Sequence, residues 1–125
     1  MDFEKRRDRL RRSIKEAGSS ALLVTNFVNV RYLTGFTGDD SYLVVHRDGE
    51  LLISDPRYEE QIGEECPGLT TFIRAPQVTL MDATIGQLEA GHWGNVLVEG
   101  DSVSLLSFER LKEDLPSVAF GSPRL

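Results

Sequence analysis

Ala21-Leu22-Leu23-Val24-Thr25 is a run of four apolar residues closed by a β-branched one, with no polar residue alternating through it. Such a run predicts a short strand buried on both faces, which needs helices above and below the sheet. It belongs near the sheet centre, and the flanking segments must supply the cover. Upstream, Phe3, Leu10, Ile14 and Ala17 recur at helical spacing, so residues 3–17 read as a helix. Gly18 closes it, because glycine takes the left-handed conformation at a helix C-terminus at least cost. Downstream, Asn26 is placed to cap a short helical turn through Tyr32 and Leu33.

The loop Gly35-Phe36-Thr37-Gly38-Asp39-Asp40 follows, where two glycines and two acids disfavour regular structure. Tyr42–His46 and Glu50–Ser54 flank Arg47-Asp48-Gly49, and Asp-Gly signals a hairpin because both residues tolerate positive φ. Asp55-Pro56 then reads as an N-cap with proline at the first helical position. This opens a helix to about Glu65, with Tyr58, Ile62 and Cys66 on one face and Pro67-Gly68 ending it. Leu69–Ile73 predicts a strand, and Thr79 with Asp82 a capped helix ended by Gly91. Val96-Leu97-Val98 is a further buried strand. Ser104 caps a helix stopped by Pro116, and Val118–Phe120 is a last strand before Gly121-Ser122-Pro123. Strands alternating with helices, with one hairpin inserted, imply an α/β fold: a mixed sheet of about six strands with helices on both faces.

The length of 125 residues allows one domain, 1–125, built on one core. With 40% apolar and 27% charged residues the composition is globular, which excludes collagen, disorder and a disulfide scaffold. No apolar run approaches the roughly 18 residues that cross a bilayer, and no secretory signal follows the basic N-terminus, so no membrane partner and a cytoplasmic location are expected. One Cys and two His fall short of a structural zinc site. The net charge of −6 argues against a nucleic-acid footprint. That charge is uneven: residues 1–15 hold seven basic side chains against three acids, +4, which leaves −10 for the rest. The basic residues read as the solvated face of the first helix.

The sequence contains no HExxH, no Gly-x-Ser-x-Gly elbow, no Walker loop and no GxGxxG. His46 and His92 lack positioned partners in the sequence, and Cys66 falls on an apolar helix face, where a thiol behaves as a small hydrophobe. Gly35-Phe36-Thr37-Gly38 has the outline of a nucleotide clamp, but the acids after it would repel phosphate. Asp39-Asp40 supplies too few oxygens for a calcium loop and reads first as solvated. Arg57-Tyr58, in the first turn of a helix, presents an arginine fork and a phenol from a rigid element.

Asn29-Val30-Arg31-Tyr32-Leu33-Thr34-Gly35-Phe36-Thr37-Gly38, followed by Asp55-Pro56-Arg57-Tyr58-Glu59-Glu60-Gln61, resembles the N-terminal domain of the creatinase/prolidase/aminopeptidase P family. The leading basic helix, Val98-Glu99 and the final helix extend the resemblance over nearly the whole chain. Ile62, where a small residue is usual, and Asp39-Asp40 depart from the family pattern. The resemblance implies a ribonuclease H-like fold and a larger parent: a catalytic pita-bread domain downstream, holding two divalent metal ions, manganese as a rule, on carboxylates and a histidine. No catalytic or metal-ligating residue carries over to this chain, and no cofactor is expected in it.

By the same resemblance the domain works through assembly and substrate selection. Its expected partners are its own C-terminal catalytic domain, a second subunit in a homodimer, and short proline-containing peptides reached through the full enzyme. Phe36, Asp39, Asp40, Arg57 and Tyr58 are the candidates for the rim over the active site or for the interface. An acid of the loop would attract the peptide's free amine while Arg57 or Tyr58 steadies the loop. Two other uses of the fold stay open: a non-catalytic protein- or peptide-binding module, as in a histone-chaperone subunit, and a creatinase-type amidinohydrolase parent.

Overall fold

The structure, a computed structural model, describes residues 2–122. In chain order the elements are α1 (Phe3–Glu16), β1 (Ala21–Val24), α2 (Phe27–Thr34), β2 (Tyr42–His46) and β3 (Gly49–Ser54). A 3-10 turn (Pro56–Tyr58) then leads into α3 (Glu59–Glu65), followed by β4 (Thr71–Ile73), α4 (Leu80–Gly91), β5 (Asn95–Val98), α5 (Leu105–Asp114) and β6 (Ala119–Gly121). The six strands form one mixed sheet in the order β4-β3-β2-β1-β5-β6. β1 pairs antiparallel with β2 and parallel with β5, so the apolar run occupies an interior position as expected.

Alternate residues of β1 serve two cores. Leu22 and Val24 join Ile14, Val30, Leu33, Phe36 and Ile62 beneath α1, α2 and α3. Ala21 and Leu23 join Ala83, Leu88, Val96 and Leu111 beneath α4 and α5. All four β1 residues are at most 4% exposed, which is why the sequence there shows no alternation.

Local chemistry sets the boundaries. Asn26, Asp55, Thr79 and Ser104 each accept a backbone N–H at the start of a helix or turn. Gly18 and Gly35 take positive φ just past α1 and α2. Several expectations need correction. The segment after Asn26 is an eight-residue helix rather than a short turn. β4 begins at Thr71, not Leu69. The hairpin forms with a two-residue connection, His46 pairing with Gly49, but neither Asp48 nor Gly49 has positive φ, so the Asp-Gly rationale does not apply. α4 does end at Gly91, as expected, but it is His92 that takes the left-handed position. Glycine at 91 leaves room for Trp93, since a Cβ there would lie 2.3 Å from its ring. The basic face of α1 is also less solvated than expected, since Arg7 and Arg11 reach Glu50 and the Gly49 carbonyl on β3. Of the predicted stop at Gly121-Ser122-Pro123, Pro123 lies outside the described residues.

Five strands point one way and β2 alone runs back. One end of the sheet therefore gathers the residues following β1, β3, β4, β5 and β6 together with the loop that enters β2.

Candidate functional site

At that end, over β2, β3 and β4, residues 37–41 are held by one side chain after another. Tyr58 donates its hydroxyl to Asp39 Oδ1 at 2.7 Å. Arg57 Nη2 donates to Asp40 Oδ2 at 3.0 Å and to Asp55 Oδ2 at 2.8 Å. Glu65 takes both the Thr37 backbone N–H, at 2.9 Å, and its hydroxyl, at 2.7 Å, while Gln61 Nε2 donates to that same hydroxyl oxygen at 2.9 Å. Ser41 Oγ lies 2.7 Å from Ser54 Oγ and donates to the Asp39 carbonyl. Asp40 sits at φ 47°, a left-handed conformation that aspartate tolerates better than most side chains.

Asp55 is the anchor. It ends β3 with its side chain only 4% exposed, caps the following turn through the Arg57 N–H, and receives Arg57 and, at 3.5 Å, Arg74. The hydrogen bonds from the Arg57 side chain hold its carboxyl below the usual range, and the same contact raises the Arg57 guanidinium. Arg74 carries the linkage onward by donating to the Val78 carbonyl at 2.5 Å. The proton that Tyr58 shares with Asp39 raises the phenol above its ordinary value, so it stays a donor at neutral pH. Hydrogen bonds from Thr37, its backbone N–H first, hold Glu65 low.

The charges do not cancel evenly. Arg57 answers Asp40 and Asp55, and Arg74 answers Asp55. Asp39 receives only a neutral phenol, and among the described residues no cation lies within ion-pair distance of it. It is the exposed carboxylate of this cluster whose charge faces outward uncompensated. Among the described residues no three His, Cys, Asp or Glu side chains are grouped so as to hold a metal ion. The acids at 40 and 55 come together on Arg57, whose guanidinium repels a metal cation, while Asp39 is held apart on the Tyr58 hydroxyl. The described residues of this cluster do not fit a metal site.

Of the five predicted site residues the structure brings Asp39, Asp40, Arg57 and Tyr58 together at the surface. Phe36 is a correction: it is 0% exposed and belongs to the core, its ring edge-on to Tyr58 at 5.4 Å, so it supports the loop from below and lines no rim. Gly38 lies against the same pair, where a Cβ would meet Phe36 at 2.4 Å and Tyr58 at 2.9 Å. Sequence reasoning missed Glu65, Ser54 and Arg74. Gln61 and Glu65, polar side chains one turn apart on α3, were the available signal for the first of these. Cys66, as expected, is buried, and burial raises its thiol.

A second set of contacts lies over β1 and β5. Glu99 Oε1 accepts the backbone N–H groups of Thr25 and Asn26, and Oε2 accepts from Asn29 Nδ2. Thr25 Oγ1 meets Ser102 Oγ at 2.7 Å. These bonds tie the start of α2 to the loop that leads into α5.

Residues 6–122 match the model of the creatinase/prolidase N-terminal domain. A fragment of a metallopeptidase from Corynebacterium diphtheriae, solved as its creatinase/prolidase-like N-terminal domain, superposes with a TM-score of 0.83 at 26% identity, covering 98% of this chain and 97% of that one. The N-terminal domain of the cytoplasmic peptidase PepQ from Mycobacterium tuberculosis gives 0.82 at 28% identity, covering 97% and 92%. Against an Xaa-Pro dipeptidase from Bacillus anthracis the TM-score is 0.85 at 25% identity, and 96% of this chain covers 33% of that longer one. The peptidase YqhT of Bacillus subtilis, itself uncharacterized, is 38% identical over 61 residues, 49% of this chain and 17% of that protein. The chain belongs to the creatinase/prolidase N-terminal domain family.

Proposed function

We propose that this chain is the non-catalytic N-terminal domain of a proline-specific metallopeptidase, an Xaa-Pro dipeptidase or aminopeptidase P, in which it contributes to dimerisation and positions short peptides. The observation that carries this reading is the outward carboxylate of Asp39, set on a loop that Tyr58, Arg57, Gln61 and Glu65 hold in place. A carboxylate so held is a receptor for an ammonium group that is ordered before the ligand arrives, so little entropy is lost on binding. The free amine of a short peptide supplies that ammonium. Asp40 is the weaker receptor because Arg57 already answers it. Under this reading the peptide bond is cut elsewhere, on the longer protein's remaining part, where a pair of divalent metal ions activates the attacking water. A cytoplasmic location accords with the description of the PepQ relative, and no helix among the described residues is long and apolar enough to cross a membrane.

The test uses the full-length enzyme that carries this domain. Asp39→Asn raises KM for Xaa-Pro peptides with a free amine by about two- to fivefold, the worth of an exposed ion pair, and leaves kcat unchanged. N-acetylated peptides do not register the change. An unaltered KM removes the amine role. The isolated chain, assayed with manganese against the same peptides, shows no turnover above a metal-only control, and turnover there refutes the assignment as a non-catalytic domain.

A further inference from the structure

At the end of the sheet opposite the Asp39 loop, the start of β1 lies beside the end of β2 and the start of β5. Together with the last turns of α1 these enclose an open cavity of about 630 Å³. Four basic residues line it, Arg11, Arg12, Lys15 and Arg47, and no acidic residue does. Backbone bonds fix the walls: the Gly18 and Ser19 N–H groups close α1 on the Lys15 and Ile14 carbonyls, Ser20 N–H reaches the Asn95 carbonyl, and Arg47 N–H reaches the Ser20 carbonyl. Those donors are spent, so a ligand in the cavity is met by side chains.

Arg11 is already committed to Asp8, Glu50 and the Gly49 carbonyl. The other three cations are not. Arg12, Lys15 and Arg47 are exposed, and among the described residues none of them is in an ion pair. Asp8, one turn before Arg12, is taken by Arg11. Arg12 and Lys15 stand three residues apart on α1, neighbours on one helix face. Arg47 comes to the same cavity from the hairpin, its Nη2 at 3.4 Å from Ser20 Oγ, a long bond that a stronger acceptor replaces at little cost. In a chain of net charge −6, three unanswered cations around one hollow repel one another, and an anion seated among them relieves that repulsion.

We infer that this cavity is a binding site for a phosphorylated small molecule, whose phosphoryl oxygens are shared by Arg12, Lys15 and Arg47. A guanidinium fork pairs two oxygens at once, and the lysine adds a point charge. A terminal phosphoryl group is close to doubly charged at neutral pH, which suits three cations with no acid among them better than a single carboxylate does. The volume lies within the range of small-molecule sites and leaves room for the body that carries the phosphoryl group. The site takes nothing from the proposed function, whose acid lies at the other end of the sheet.

Titration of the chain with pyrophosphate, followed by nuclear magnetic resonance, reads the site directly. The expected result is saturable shifts of the Arg12 and Arg47 Nε–H signals and of the amides at 18–20, with a dissociation constant of about 0.1–1 mM. Inorganic phosphate binds the same residues about tenfold more weakly, and sodium chloride at equal ionic strength does not reproduce the shifts. Arg12→Gln and Arg47→Gln each weaken pyrophosphate about three- to tenfold. Arg9→Gln removes the same charge from α1 outside the cavity and leaves the constant within about twofold of the parent. A response that does not saturate by about 20 mM pyrophosphate, or a loss on Arg9→Gln equal to that on Arg12→Gln, overturns the inference. So does binding to phosphatidylserine vesicles with no response to pyrophosphate, which would make the patch a membrane contact. None of these readouts involves Asp39 or peptide turnover, so failure here and failure of the proposed function are told apart.

Discussion

Tyr58 reaches back from the start of α3 to give its hydroxyl proton to Asp39, nineteen residues earlier, and the same ring stacks edge-on against buried Phe36. One side chain thus fixes the acid at the loop surface and joins it to the core. Tyr58→Phe separates the two roles, because the ring packing survives while the hydrogen bond is lost. We expect a loss of about 0.5–1.5 kcal/mol in urea unfolding. Amide hydrogen exchange quickens at residues 38–40, while the rate at Thr37, held by Glu65, stays as it was. Uniform quickening from 36 to 41 would contradict separate anchoring.

Phe36→Ala removes the support under the loop. Phe36 is fully buried with its ring among Tyr58, Gly38 and the α3 side of the core, so truncation leaves a cavity and costs about 3–5 kcal/mol. Asp39→Asn at the surface above it costs less than about 0.5 kcal/mol. Chemical denaturation of the two variants separates core from rim, and equal losses would return Phe36 to the surface group.

Glu99 is bound by three donors that start α2, two from the backbone and one from Asn29. Glu99→Gln keeps an oxygen for the backbone pair but exchanges the charged acceptor that three donors share for a neutral one, and the Asn29 amide must turn over to meet the new N–H₂. The expected cost is about 1–3 kcal/mol. Asn29→Asp in the same chain restores a charge-assisted bond between the two side chains and recovers part of it. A double-mutant cycle over the two positions gives the coupling directly, and a coupling near zero denies the contact.

The sheet was legible because its signals are local: the unalternating run at Ala21–Val24, the caps Asn26, Asp55, Thr79 and Ser104, and Gly18 past the first helix each act within a few residues. The surface acids and Arg57-Tyr58 were legible as chemistry but not as contacts, since Asp39 and Tyr58 meet only after β2 and β3 have folded back. Phe36 was misread because an aromatic between two glycines looks the same in a loop whether it points out or in. Only the closed space at Gly38 distinguishes the cases. Glu99 was legible only as part of the family resemblance and not as a contact, its partners lying seventy residues or more away. Gly91 ends α4 as read, but the room it leaves Trp93 was not legible from the sequence.

Asp55 and His46 are two of the groups through which stability depends on acidity. Asp55 in the fold lies below its ordinary value of 3.8 because Arg57 donates to it, and His46 lies below 6.5 because burial disfavours its charged form, with its ring 4.8 Å from that of Trp93. For both, the unfolded chain takes up a proton at a pH where the folded chain does not, so their stabilisation is complete above the ordinary value and lost as pH falls through the folded one. The thermal midpoint should therefore decline in two stages on acidification, the first beginning near pH 6.5 with His46 and the second below about pH 4 with the carboxylates. His46→Phe, which keeps a ring beside Trp93, removes the first stage. Asp55→Asn lowers the midpoint at neutral pH, because Arg57 and Arg74 lose a charged partner, and its curve converges on that of the parent at low pH, where Asp55 is protonated in both states. Calorimetric scans from about pH 7 to pH 3 check both variants. Parallel curves for Asp55→Asn and the parent across the acid range would show that the carboxylate's charge is not what holds Arg57 in place.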